Sequence, residues 1–267
     1  MLLFADNLAM PGLDPKGFAA AAAAMPPYVR KNQADLAKEE QERFKRGVLK
    51  GIQSGVYSQF VGYHADMSHQ MHSMGNPIGT QRFLPWHRDY LVTLELALRI
   101  LEPDFYFPTW HWTTDQAIPA WLNAFTPDGV IGLNNQPIPI TRNPGGDPRV
   151  KTLPSTADIK RVVQHPTYTA FTLALEGARP FGAHNQVHVW VGGTMSDLET
   201  APADPLFWLH HAEIDRRWNQ WQQPHPDQHP DLTGSDSIMD PWQDNADDLE
   251  NTTKLGYSYP GNNGGRQ

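Results

Sequence analysis

Histidines set the chemistry available to this chain. There are 12 of them in 267 residues, and cysteine is absent. Most fall into two groups. The downstream group is His184 and His188 in H-N-Q-V-H, then His210 and His211 in D-P-L-F-W-L-H-H-A-E-I-D-R-R-W. His184 and His188 are spaced to put two imidazoles one turn apart on one helix face. The upstream group is His64, His69 and His72, then His87 in F-L-P-W-H-R-D-Y-L. Each group of four can supply three imidazoles, and two such triplets point to two metal ions.

Imidazole nitrogen binds zinc, copper, iron and nickel. Hydrolytic two-metal sites need carboxylates to bridge the ions and orient water. No aspartate or glutamate sits at a matching offset here. Asp66 and Asp89 are the nearest, and both are expected to face water. Six neutral nitrogens with an open side on each ion suit a copper pair cycling between Cu(I) and Cu(II) in the presence of dioxygen. Zinc is redox-inert and would not activate oxygen.

Helical segments must carry these donors. Asp204 is a good N-cap, Pro205 suits the first helical position, and Leu206, Leu209, Ile214, Trp218 and Trp221 follow at helical spacing. That helix holds His210 and His211. The apolar pattern also predicts helices over 37–51, 56–72 and 85–101. The second turns Phe60, His64 and Met67 or Met71 inward, and the third carries His87 in its first turn. Gly75, Asn76, Pro77 and Gly79 read as the break between them. Residues 109–154 read as loop with short strands at most, 167–176 as a further helix, and the run P-H-P-D-Q-H-P-D at 224–231 as solvated loop. The expected fold is mainly α: a four-helix bundle core around a dinuclear copper site, with long loops and few strands.

Composition narrows the function. Hydrophobic residues make up 39%, and nine Trp, eleven Phe and eight Tyr supply bulk for one substantial core. The net charge is −8 without a basic cluster, which argues against nucleic acid or an anionic membrane as partner. Without cysteine there are no disulfides, thiolate metal sites or cysteine nucleophiles. The N-terminal stretch lacks the basic start of a signal peptide, and no apolar run reaches the ~18–20 residues of a membrane span. A cytoplasmic protein is expected, with an arm at 1–28, one catalytic domain at 29–260 and a flexible tail at 261–267.

The segments F83-L84-P85-W86-H87-R88-D89-Y90-L91, His184-Asn185-x-x-His188 and Asp204-Pro205-x-Phe207-x-x-His210-His211-x-x-x-Asp215-Arg216-x-Trp218 resemble the tyrosinase family of type 3 copper proteins. Val29-Arg30-Lys31-Asn32 resembles the family's opening segment, and Tyr257-Ser258-Tyr259 its closing tyrosine motif. The length and lack of cysteine are similar to the small bacterial type without a C-terminal lid domain. The resemblance implies copper A held by His64, His72 and His87, and copper B held by His184, His188 and His211. His210 becomes a neighbour of copper B. His69 competes with His72, because M-G-N-P-I-G-T-Q resembles an insertion before His87.

Glu176 and Asn185 stand where the family places a pair that holds a water and thereby takes the proton of a phenol. Glu176 pairing with Arg179 is the plainer alternative. His111 replaces an aspartate of the family, in a structural or accessory-metal position. Asp215 is expected to anchor Arg88. The residue that overhangs copper B in the family falls near Met195 to Leu198, where bulk limits which phenols enter, and Val189 suggests an entrance left open without a basic group. The implied activity is ortho-hydroxylation of monophenols and oxidation of o-diphenols to o-quinones with O2, acting on small phenols. An o-aminophenol or catechol oxidase is the alternative, and an oxygen carrier of the hemocyanin type a third. A copper-loading helper protein and the oligomeric state stay open.

Overall fold

The structure, a computed structural model, describes residues 24–177 and 182–261. The expected tail beyond Gly261, the expected N-terminal arm up to residue 23, and Arg179 lie outside the described residues. Seven helices of eight or more residues are described: α1 Lys38–Ser54, α2 Val56–Ala65, α3 Pro77–Leu101, α4 Thr156–Val163, α5 Tyr168–Glu176, α6 Ala183–Val191 and α7 Pro205–Gln222. Four two-residue strands accompany them: β1 Tyr28–Val29, β2 Ile238–Met239, β3 Asp244–Asn245 and β4 Tyr257–Ser258.

α3 is the axis of the molecule. Every residue from Gly79 to Arg99 is buried, because α1, α2, α5 and α7 all pack on it. A helix covered on all sides has no polar face, so its sequence shows little periodicity. It begins two turns before the expected start. Asn76 caps it, accepting from the Ile78 N–H at 3.0 Å, and Pro77 takes the first position. Pro85 therefore lies inside the helix and His87 near its middle. A proline leaves the carbonyl four residues earlier without its helical donor. That carbonyl, of Gln81, accepts from the Tyr168 hydroxyl of α5 at 2.9 Å.

α2 stops at Ala65 rather than at His72. The Asp66 carboxylate accepts from the Ser68 N–H at 3.0 Å, which opens a 3-10 turn over Met67–His69. Such local side-chain bonds compete with helix continuation. Gln70 and Met74 then take positive φ. Met71 is the buried methionine of this loop and Met67 is exposed. α4 was not foreseen; its Ser155–Asp158 capping box is a short local signal.

The first and last described strands meet. β1 pairs in parallel with β4, Tyr28 opposite Tyr257. Arg30 follows directly and reaches Glu95 of α3 at 2.6 Å and Asp215 of α7 at 3.0 Å. Among the described residues no helix is long and apolar enough to cross a membrane.

Candidate metal centre

Four helices and one loop deliver the histidines. His64 is in the last turn of α2, His87 in α3, His184 and His188 in α6, and His210 and His211 in α7. His72 comes from the loop between α2 and α3. Potential ligand atoms of His64, His72 and His87 lie within 4.8 Å of one another, and so do those of His184, His188, His210 and His211. The two groups face each other: the His87 and His211 rings stack at 4.6 Å, and His72 and His184 lie 5.9 Å apart.

Within each group the Nε2 atoms converge. His64 and His72 approach to 3.3 Å, His184 and His211 to 3.2 Å, and His188 and His211 to 3.3 Å. Two imidazole nitrogens each about 2.0 Å from one ion, at a tetrahedral angle, stand about 3.3 Å apart. The opposite nitrogens are tied down in five of the six, the exception being His211, whose Nδ1 has no partner among the described residues. His64, His87 and His188 donate Nδ1–H to the carbonyls of Leu198, Phe83 and Met195 at 2.8, 2.7 and 2.7 Å. His72 donates to Glu176 at 3.1 Å, and His184 to the Asn185 side-chain oxygen at 2.9 Å. These bonds select the tautomer whose Nε2 lone pair points inward.

Burial, then neighbouring histidines, push His64, His87, His184 and His211 well below the usual imidazole range. Burial holds His188 at about 4. Neutral lone pairs facing one another, including a partnerless His87 Nε2, need a cation between them. The donor set is nitrogen alone. Asp89, expected to face water, is fully buried but turned elsewhere: it accepts from Thr93 at 3.1 Å, and burial and Asp244 push its pKa well up.

A family model, the common central domain of tyrosinase, matches residues 54–146 and 132–224. The tyrosinase of Streptomyces glaucescens is 34% identical over 265 residues, covering 84% of this chain and 96% of that one.

This chain belongs to the tyrosinase family.

Solved structures agree on the fold. A tyrosinase from Burkholderia thailandensis superposes with a TM-score of 0.61 at 19% identity, covering 89% of this chain and 74% of that one. A functional unit of octopus hemocyanin gives 0.63 at 20%, covering 87% and 68%. Tyrosinases are dicopper proteins, and the two imidazole clusters fit two copper ions.

The remaining residues fall into place around that centre. His69 belongs to neither cluster. Its Nδ1 meets Asp240, which also holds Arg82 of α3. His210 is buried and stacks on His184 at 5.3 Å. Neither of its ring nitrogens completes a well-formed hydrogen bond, the His184 backbone being the polar group it approaches. His111 stands 3.6 Å from the buried Glu213 and joins no metal cluster among the described residues. Asp215 does anchor Arg88 Nε, at 2.5 Å, and accepts from Tyr257 at 2.6 Å and from Tyr259. His225 caps the end of α7 through the Trp221 carbonyl at 2.8 Å, and His229 reaches Glu250 at 2.7 Å.

His72, His184 and His188 open onto a cavity of about 400 Å³ that Glu176, Asn185 and Val189 also line. At its rim Met74, Asp197 and Leu198 are exposed. The main-chain acceptors of Met195, Leu198 and Phe83 were invisible to a reading of side chains.

Proposed function

We propose that this protein hydroxylates monophenols at the ortho position and oxidises the resulting o-diphenols to o-quinones with O2. The observation that carries the reading is the pair of facing imidazole clusters beside a cavity open to solvent, in a chain of the tyrosinase family. His64, His72 and His87 are assigned to copper A, and His184, His188 and His211 to copper B. Bound copper supplies the one-electron couple through which dioxygen is used.

The chain's own groups bind the phenol and handle its proton. A phenol, with pKa near ~10, arrives protonated at neutral pH. We assign the removal of that proton to Glu176, acting through a water held with Asn185. Both residues line the cavity. The Glu176 carboxylate already accepts from His72 and from the Ser73 N–H at 3.0 Å. Asn185 Nδ2 donates to the Gly177 carbonyl at 2.6 Å, which turns its oxygen toward His184. These bonds fix both groups at the cavity wall before substrate enters. Val189 and the Met195–Leu198 loop shape the approach of the ring.

The likeness to octopus hemocyanin keeps an oxygen carrier as the second reading. Exposed rim residues around the cavity favour an enzyme, because a substrate has a way in. Oxygen uptake by copper-loaded protein with L-tyrosine, catechol and 2-aminophenol separates the readings. Uptake with all three, fastest with catechol, is expected. Uptake with catechol or 2-aminophenol alone leaves an oxidase without hydroxylase activity. Reversible oxygen binding without consumption leaves a carrier.

A further inference from the structure

The rim of the copper cavity carries a charge that the reaction itself does not require. Residues 193–198 form a loop between α6 and α7, and both metal clusters pin it. The Met195 carbonyl accepts from His188 and the Leu198 carbonyl from His64. Asp197 lies between these two carbonyls. Its own carbonyl accepts from the Ala201 N–H at 2.8 Å. Gly193, at φ 54°, lets the loop approach Thr141 so closely that a Cβ there would stand 2.2 Å from the Thr141 oxygen. The loop is therefore held in register with both imidazole groups.

The charges of the cavity are one-sided. Its described lining includes two carboxylates, Glu176 and Asp197, and neither lysine nor arginine. Glu176 is buried and committed to His72 and Ser73. Asp197 is exposed, and among the described residues its carboxylate accepts one hydrogen bond, from the Glu199 N–H to Oδ1 at 2.8 Å. No described cation pairs with it. Glu199, two residues on, lines the adjoining cavity and extends the negative field.

Resting on the phenol-oxidising function above, we propose that Asp197 selects phenols that carry a protonated amine on the ring's side arm over phenols that carry a carboxylate. The copper-facing end of the cavity takes the hydroxyl, and Asp197 meets the ammonium at the rim. A solvent-exposed carboxylate–ammonium contact changes affinity by roughly two- to five-fold, and a carboxylate is repelled on the same scale. Together they give an amine-over-acid preference of about ten-fold in kcat/KM.

Oxygen uptake tests this with 4-hydroxyphenethylamine and 3-(4-hydroxyphenyl)propanoate, each divided by the value for uncharged 4-methylphenol. The wild-type ratio of amine to acid is expected near ten. It should fall toward one in Asp197→Asn, invert in Asp197→Lys, and shrink in 1 M salt, where the screening length drops to about 3 Å. A wild-type ratio at or below one, or a ratio that Asp197→Asn leaves in place, overturns the proposal. If no phenol is consumed, the function above fails instead. Saturation-transfer NMR with the unreactive 2-phenylethylamine and 3-phenylpropanoate then judges the cavity alone: equal binding, or tighter binding of the acid, sinks the charge preference.

Discussion

Glu176 at the end of α5 accepts the Nδ1 proton of His72 at 3.1 Å. His72 is the cluster histidine that a loop delivers, so this bond does for it what a helix backbone does for His87. A carboxylate behind a metal-binding imidazole fixes its orientation and raises its basicity, and its loss typically costs 10- to 100-fold in metal affinity. Glu176→Gln should therefore weaken copper A by about that factor in a competition titration. At saturating copper, hydroxylation of a monophenol should fall much further than oxidation of a catechol. Equal losses there would leave Glu176 as an anchor of His72 alone and remove it from proton transfer.

Gly79 reads in the sequence as part of a break, yet it sits in the first turn of α3. A Cβ placed on it would stand 2.0 Å from the His72 carbonyl oxygen. Only a glycine lets the helix start lie against the loop that carries the ligand. Gly79→Ala is expected to push His72 away, with loss of one copper per chain by elemental analysis. A variant that keeps two coppers would show that the loop can yield.

Much of the centre was legible because its donors lie on helices with strong local signals. Asp204-Pro205 starts α7 as expected, and the i, i+4 pair His184 and His188 shares a face of α6. The failures have one physical origin, in that the missing information is non-local. α3 is buried all round, so periodicity gave no start point, and Pro85 looked like a beginning until Tyr168 supplied the donor for the freed Gln81 carbonyl. Asp89 looked solvent-facing because nothing near it in sequence reports Asp244. His69 and His72 could not be separated by spacing; Asp240, 171 residues after His69, turns one of them away.

Copper stoichiometry checks the ligand assignment directly. His72→Ala and His211→Ala should each reduce bound copper from two ions to one. His69→Ala should keep both, because His69 binds Asp240 instead of joining the cluster. His210→Leu should also keep both, with lower stability at most. If His69→Ala loses an ion while His72→Ala does not, copper A has been assigned to the wrong histidine.

Acid should act on the metal-free protein in a defined window. The unfolded chain protonates its histidines near ~6.5, whereas burial holds His188 neutral in the folded state down to about 4. Between these values the unfolded state binds more protons, so stability is retained above the window and falls as the pH drops through it. His188 alone contributes a loss on the order of 3 kcal/mol at pH 4. His64, His87, His184 and His211 are depressed further and act in the same direction. The melting temperature of metal-free protein should decline steadily from pH 6.5 to 4.5, and copper, which competes with protons for the same nitrogens, should be released over the same range. A flat melting curve between pH 7 and 5 would mean that these imidazoles are not held neutral by burial.

Asp215 ties the segments around β1 and β4 to the bundle. It accepts from Arg88 of α3, from Arg30 beside β1, and from Tyr257 and Tyr259 of the closing motif. Burial alone would raise its pKa, but Arg88 and Arg30 outweigh that and hold the carboxyl below its usual range. Asp215→Asn keeps the shape and removes the charge, leaving two buried guanidinium groups with Glu95 as the remaining carboxylate on Arg30. Breaking one side of a buried ion pair costs about 3–5 kcal/mol, which in a chain of this size lowers the melting temperature by roughly 6–20 °C. Because Tyr28 and Tyr257 are paired across β1 and β4, hydrogen exchange should quicken at both strands together. Exchange that rises in one strand while the other stays protected would show that the two strands are held separately, and that Asp215 is not the link between them.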